Sequence, residues 1–245
     1  PEKAGGVCVF ITANPAAGKT CLMSQLVVES ITNHSELVPV FIKVQELQKR
    51  LREKENRHVF GTKWNWVDAY LAVTHGSDSE LYLFLRQALM ARRALILLDG
   101  IDEAGQARSA IERHISDVLV PQGNFLVMTS RPAGVDEASF DRTLVHRLEL
   151  QPLSDEQQAK VIEHRLGAAG SEHAQQRVER LLQYVRDNVP RDVETGERVT
   201  SNPLMLSMVI SIYEINEGHG GMPTTVSELY EFASSTMLQR LDKKG

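Results

Sequence analysis

The sequence predicts an α/β fold, a parallel sheet covered by helices on both faces, with a smaller helical domain after it. Three observations carry this expectation. Short apolar, β-branched runs recur as far as Leu150, and stretches with helical spacing separate them. That alternation implies parallel strands joined by crossover helices. Beyond Leu153-Ser154-Asp155-Glu156 the strand signal stops and helical patterns take over.

Five strands are expected in order. Val7 to Thr12 is apolar and leads into a turn-rich segment, the mark of a buried strand, and Thr20 to Thr32 follows as a helix. Val38 to Val44, Ala94 to Leu98 and Asn124 to Thr129 are the next three runs, and Leu144 to Leu150 alternates, which places it nearer a sheet edge. Ser154 reads as a helix N-cap, with Asp155 and Glu156 complementing the helix dipole. Helices are then expected from Asp155 to Leu166, Glu172 to Asn188, Pro203 to Glu217 and Thr225 to Leu241. The domains are accordingly residues 1–152, residues 153–222, and a last helix within 223–245. Between Gln45 and Leu89 the pattern is less regular; Trp64, Trp66, Tyr70 and Leu71 read as the packing cluster of an inserted surface helix.

Composition narrows the function classes. With 245 residues, 42% hydrophobic and 24% charged, the chain has the make-up of an ordinary globular protein. Its net charge of −5 and pI near 5.9 argue against a broad nucleic-acid footprint. Only Cys8 and Cys21 are present, without a CxxC or Cys/His spacing, so neither a disulfide framework nor a zinc site is indicated, and a reducing cytoplasm fits. No apolar run approaches the roughly 18 residues a membrane span needs. Because the chain starts at Pro1 and stops at Lys243-Lys244-Gly245, it reads as part of something longer.

The chemistry is concentrated at two strand ends. Ala13-Asn14-Pro15-Ala16-Ala17-Gly18-Lys19-Thr20 supplies the Gly-x-x-x-x-Gly-Lys-Ser/Thr phosphate loop between a strand and a helix, with alanine in the first glycine slot. Backbone N–H groups of such a loop and of the helix N-terminus form an anion hole, and Gly18 allows close backbone approach. Lys19 would bridge β- and γ-phosphates, and Thr20 would put its hydroxyl on Mg²⁺. The cofactor-binding set is thus Ala13, Asn14, Pro15, Ala16, Ala17, Gly18, Lys19, Thr20 and the next residue of the helix, Cys21. Ala13 requires a negative φ in its slot.

Ala94-Leu95-Ile96-Leu97-Leu98-Asp99-Gly100-Ile101-Asp102-Glu103 is an apolar strand ending in acids. A strand-end aspartate in an open α/β sheet sits where ligands bind, so Asp99 is the expected Mg²⁺ anchor beside Thr20. Glu103 is the candidate that activates an attacking water, with Asp102 as substitute or helper. Both acids also suit a helix N-terminus. Arg131, after the run Phe125 to Ser130, could read a γ-phosphate.

Together these motifs resemble the NACHT family of signal-transducing (STAND) P-loop ATPases, relatives of the AAA+ class. The resemblance rests on Ala-Asn-Pro-Ala-Ala-Gly-Lys-Thr, Leu-Leu-Asp-Gly-Ile-Asp-Glu, Met-Thr-Ser-Arg-Pro and Ser201-Asn202-Pro203-Leu204-Met205-Leu206, in order across nearly the whole chain. It implies a P-loop NTPase three-layer sandwich followed by a helical domain, with the last helix opening a truncated winged-helix domain. It implies that Arg131 is the sensor-one arginine and that Pro203 packs against the nucleotide base. It further implies a slow ATPase switch, ADP holding a closed form and ATP permitting self-association, with sensor and effector domains elsewhere and an innate-immune or cell-death role. ATP is favoured over GTP because Thr62-Lys63-Trp64-Asn65 lacks the acid of a guanine reader. An AAA+-like motor or remodelling ATPase and a non-hydrolysing nucleotide-bound scaffold are the alternatives. Sustained, substrate-stimulated turnover would mark the first, and a stoichiometric nucleotide without phosphate release the second.

Overall fold

The computed structural model describes residues 6–33, 36–134, 140–141, 143–167, 171–192, 196–215, 221–225, 227–232 and 234–235. The chain divides into two compact units, Pro1–Pro15 with Lys19–Leu150, and Ala16–Gly18 with Gln151–Gly245.

In the first unit the five apolar runs become β1 (Cys8–Thr12), β2 (Val38–Lys43), β3 (Ala94–Asp99), β4 (Phe125–Ser130) and β5 (Val145–Glu149). They form one sheet in the order β2-β3-β4-β1-β5, and every strand pair in it is parallel. Central strands of such a sheet are covered on both sides, which is why Ile96, Leu97, Leu98, Leu126 and Met128 are all essentially inaccessible to solvent. Burying each such side chain contributes about 1.5–3 kcal/mol. β5 lies at the sheet edge as expected, but the alternation is not carried into burial: Val145 is buried while Leu148 is exposed.

Helix α1 (Lys19–Thr32) follows the loop after β1. The stretch between β2 and β3 holds α2 (Val44–Arg52), α3 (Arg57–Thr62), α4 (Trp66–His75) and α5 (Glu80–Met90). Here the expectation of an inserted surface helix is corrected. Val67, Leu71, Ala72, Tyr82 and Leu89 belong to the main core, and Trp66 and Tyr70 pack against it. Asn65 caps α4 by accepting from the Asp68 amide at 2.8 Å. Asp68 itself is wholly buried and takes hydrogen bonds from the Tyr82 hydroxyl at 3.0 Å and the Trp64 amide at 3.1 Å, so the segment is pinned by polar as well as apolar contacts.

After β3 a 3₁₀ segment, Ile101–Ala107, is broken by Gly105 at φ 53° and leads into α6 (Arg108–His114), a π turn (Ile115–Leu119) and α7 (Val120–Gln122). His114 stacks on Trp66 with ring centroids 4.2 Å apart and accepts from the Trp66 amide at 3.0 Å. Burial pushes the imidazole down to about 4, which keeps it neutral and able to accept that bond near neutral pH.

The second unit contains α8 (Asp155–Leu166), α9 (Glu172–Asp187) and α10 (Pro203–Ile215) around a core of Ile162, Leu181, Leu206 and Val209. Ser154 caps α8 in a reciprocal box with Gln157. At α10 the Asn-Pro pair has a local reason: Asn202 Oδ1 accepts from the Leu204 amide at 2.9 Å, and Pro203 takes the first helical position, where no N–H is needed. Glu217, the expected end of α10, lies outside the described residues. Of the expected helix from Thr225 to Leu241, residues 227–232 and 234–235 are helical, Thr225 is a bend before it, and the others lie outside the described residues.

Candidate functional site

Parallel strands present their carboxyl ends on one side of a sheet, and the order β3-β4-β1 puts the strand-end residues Asp99, Ser130 and Thr12 along that edge. The loop leaving β1 is tied to this edge at once, because the Ala13 amide donates to the Ser130 carbonyl at 3.1 Å. Ala13, in the first glycine slot, is almost completely buried and keeps a negative φ, so the alanine costs the loop nothing in backbone strain. The left-handed positions fall further on, at Ala16 with φ 60° and Gly18 with φ 92°. Gly18 suits its conformation; Ala16 holds the same sign with a side chain, a position the sequence did not single out.

Lys19 is the first residue of α1, and its ammonium folds back over the loop. Nζ donates to the Ala13 carbonyl at 2.8 Å and to the Asn14 carbonyl at 3.1 Å. Burial pushes the ammonium below its usual value, nearby Arg131 adds to that, and Asp102, Asp99 and Glu103 oppose it. A cation in this position, beside helix N–H groups, is a charge waiting for an anion.

Asp99 is 8% exposed and fully engaged. Its Oδ2 accepts from Thr20 Oγ1 at 2.7 Å and its Oδ1 from Thr129 Oγ1 at 2.6 Å. Thr129 in turn accepts from the Gly100 amide at 3.0 Å. The sequence expectation named Thr20 and Asp99 but missed Thr129. Its signal was available in the register, since Leu98 pairs with Met128 and the next residues of the two strands are Asp99 and Thr129.

Gly100 turns the chain at φ 80°, and a Cβ there would stand 3.2 Å from the Glu103 carboxyl carbon. The two acids beyond it have different surroundings. Asp102 accepts from two donors, the Arg131 amide at 3.2 Å and Ser130 Oγ at 3.3 Å, and forms an ion pair with Arg131, whose Nε lies 3.1 Å from Oδ2. Glu103 is exposed, and its carboxylate has no hydrogen-bond or ion-pair partner among the described residues. Cys21, exposed and with a free thiol, lies in the first turn of α1. Pro203 belongs to the second unit, and within that unit a Cβ on Gly18 would stand 3.7 Å from Pro203 Cγ.

The donor set at Thr20 and Asp99 consists of hard oxygens only. Among the described residues no group of three or more His, Cys, Asp or Glu side chains gathers to hold a metal. A site with one carboxylate and one hydroxyl suits Mg²⁺, which takes few protein oxygens and completes its shell with phosphate and water.

A family model described as the NACHT domain matches residues 8–169. No curated protein matches. Among solved structures, the chain is similar to a signal transduction ATPase with numerous domains (STAND) from Pyrococcus horikoshii that carries a tetratricopeptide repeat sensor, at TM-score 0.50 and 14% identity. That match covers 95% of this chain and 30% of the other, so the chain spans under a third of the STAND protein's length. It is also similar to domain III of the Thermotoga maritima replication initiation protein DnaA, at TM-score 0.52 and 15% identity over 96% of this chain and 86% of that one. A third match, in a HORMA:CdnC:Trip13 complex from E. coli MS115-1, has TM-score 0.51 and 14% identity over 94% of this chain and 74% of that one. At such identities these structures speak to the fold, a P-loop NTPase α/β sandwich with a helical region after it. No helix among the described residues is long and apolar enough to cross a membrane.

Proposed function

The chain belongs to the NACHT family, and from that premise we propose that it is the switch module of a signalling protein, binding ATP or ADP with Mg²⁺ and hydrolysing ATP slowly. The observation that carries the reading is the Thr20–Asp99 hydrogen bond at 2.7 Å, directly after a lysine that caps the loop. It brings a helix-start hydroxyl and a strand-end carboxylate together beside a cradle of backbone amides. Mg²⁺, when bound, would neutralise phosphate charge there.

The protein's own groups then divide the work. The loop from Ala13 to Gly18, Lys19 and the first turn of α1 through Cys21 bind the phosphates, Thr20 and Asp99 hold the cation, and Pro203 is assigned to the base. Arg131 meets the γ-phosphate. Glu103, without a carboxylate partner among the described residues, takes a proton from the attacking water as the bond from the γ-phosphorus to the bridging oxygen breaks, giving ADP and phosphate.

The output of such a module is a change of state. Driving a switch from one state almost fully to the other needs about 5.5 kcal/mol of differential affinity, which contacts made only by a γ-phosphate can supply in part. In the full-length protein that change would govern self-association, with innate-immune or cell-death signalling as its setting and the cytoplasm as its place.

Turnover distinguishes this reading from a motor. An isolated module should hydrolyse ATP slowly, because a neighbour's arginine is worth roughly 10³ to 10⁵ in rate in related NTPases. Phosphate release followed against protein concentration should therefore be slow at low concentration. Fast hydrolysis by the dilute chain would contradict the switch, and no release at any concentration would leave a nucleotide-bound scaffold.

A further inference from the structure

The free edge of the Arg131 guanidinium and the way its other flank is held extend the proposed nucleotide reading, on which the following inference rests. Among the described residues, the Arg131 side chain pairs with one group, the Asp102 carboxylate. Its Nε lies 3.1 Å from Asp102 Oδ2, while neither Nη nitrogen makes a hydrogen bond among the described residues. The side chain is about half exposed, so the guanidinium is accessible to a ligand.

Asp102 is itself immobilised. Its other oxygen accepts from the Arg131 amide at 3.2 Å and from Ser130 Oγ at 3.3 Å, which fixes the carboxylate against the end of β4. The same carboxylate thus grips both the backbone and the side chain of Arg131. An arginine paired at Nε keeps the N–H donors of its two Nη nitrogens, the fork that matches phosphate oxygens. Asp102, Arg131, Asp99 and Glu103 all act electrostatically on Lys19.

We infer that Asp102 is a positioning residue, which pre-orients the Arg131 fork for a γ-phosphate and so sets the preference of the site for a nucleoside triphosphate over a diphosphate. The alternative physical role has the opposite sign. If Asp102 were only a negative charge near the phosphates, removing it would relieve repulsion and favour the more highly charged triphosphate. If it orients Arg131, removing it frees a long side chain that must be ordered again on binding, at a penalty of roughly 0.5–1.5 kcal/mol, and the triphosphate loses.

The test is calorimetric titration of the 245-residue chain with ADP and with the non-hydrolysable β,γ-methylene analogue of ATP, both with Mg²⁺. Asp102→Asn should lower the triphosphate-to-diphosphate affinity ratio about three- to tenfold, equivalent to the ordering penalty above. Arg131→Gln should lower it as well, and the double variant should lower it no further than Arg131→Gln alone. Arg131→Lys, which keeps the charge at an exposed position but has no fork, should also lose the preference. A rise in the ratio for Asp102→Asn, or the same shift with and without Arg131, overturns the positioning role. Absence of any binding by the unaltered chain overturns the nucleotide reading itself, a different outcome from a ratio that fails to move.

Discussion

Replacing Lys19 by alanine is expected to weaken ADP binding about a hundredfold or more while leaving the fold in place. The ammonium now donates to the Ala13 and Asn14 carbonyls, across the mouth of the loop, and those two bonds are the ones a phosphate would replace. Hydrogen bonds to charged partners are worth about 1.5–3 kcal/mol each, so losing two amounts to at least two powers of ten in affinity. Stability should change little. Lys19 is only partly buried, and a cation at the first residue of a helix opposes the helix dipole rather than complementing it. Calorimetry with ADP and Mg²⁺, alongside thermal unfolding without nucleotide, checks both halves. Unchanged affinity would remove Lys19 from the site.

The second large effect is expected at Glu103. Changing it to glutamine keeps the shape of a side chain that packs over Gly100 but removes its ability to accept a proton. Because its carboxylate has no protein partner among the described residues, the substitution breaks no contact there, and ATP binding should persist. Turnover should fall by about 10² to 10⁴, the range associated with a positioned general base. Single-turnover phosphate release, measured with ATP binding in parallel, separates the two effects. If Asp102→Asn stops turnover and Glu103→Gln does not, the water-activating acid is the other one. The proposal assigns this role to Glu103 because Asp102 is already committed to Arg131 and Ser130.

Much of the fold was legible because burial in a parallel sheet leaves a simple trace. Strands covered on both faces must be apolar throughout, as Ala94-Leu95-Ile96-Leu97-Leu98 is, and the first acid after such a run marks the carboxyl end where ligands bind. The caps were equally plain at Ser154, since capping depends on side chains three residues apart. What resisted reading depends on long-range contacts. The helices from Val44 to Met90 carry apolar residues whose burial comes from the sheet, and nothing local distinguishes them from a surface insertion. The π turn at Ile115–Leu119 and the break at Gly105 are likewise decided by packing around α6.

For the site, chain order supplied the residues and strand order supplied their meeting. Lys19, Thr20 and Asp99 were readable from motifs, but the second hydroxyl on Asp99 comes from Thr129, and only the β3–β4 register brings it there. The separation of roles between Asp102 and Glu103 was not decidable from adjacent acids in sequence. What the structure adds is that Arg131, emerging at the end of β4, pairs with Asp102 and not with Glu103.

The central claim is that the turn from β1 into α1, together with Asp99, holds a nucleotide diphosphate. Acid extraction of the freshly purified chain, with chromatographic identification of what is released, tests it most directly. The account predicts close to one adenine nucleotide per chain, or rapid uptake of one when ADP and Mg²⁺ are added. A chain that releases none and takes up none, while correctly folded, would contradict it.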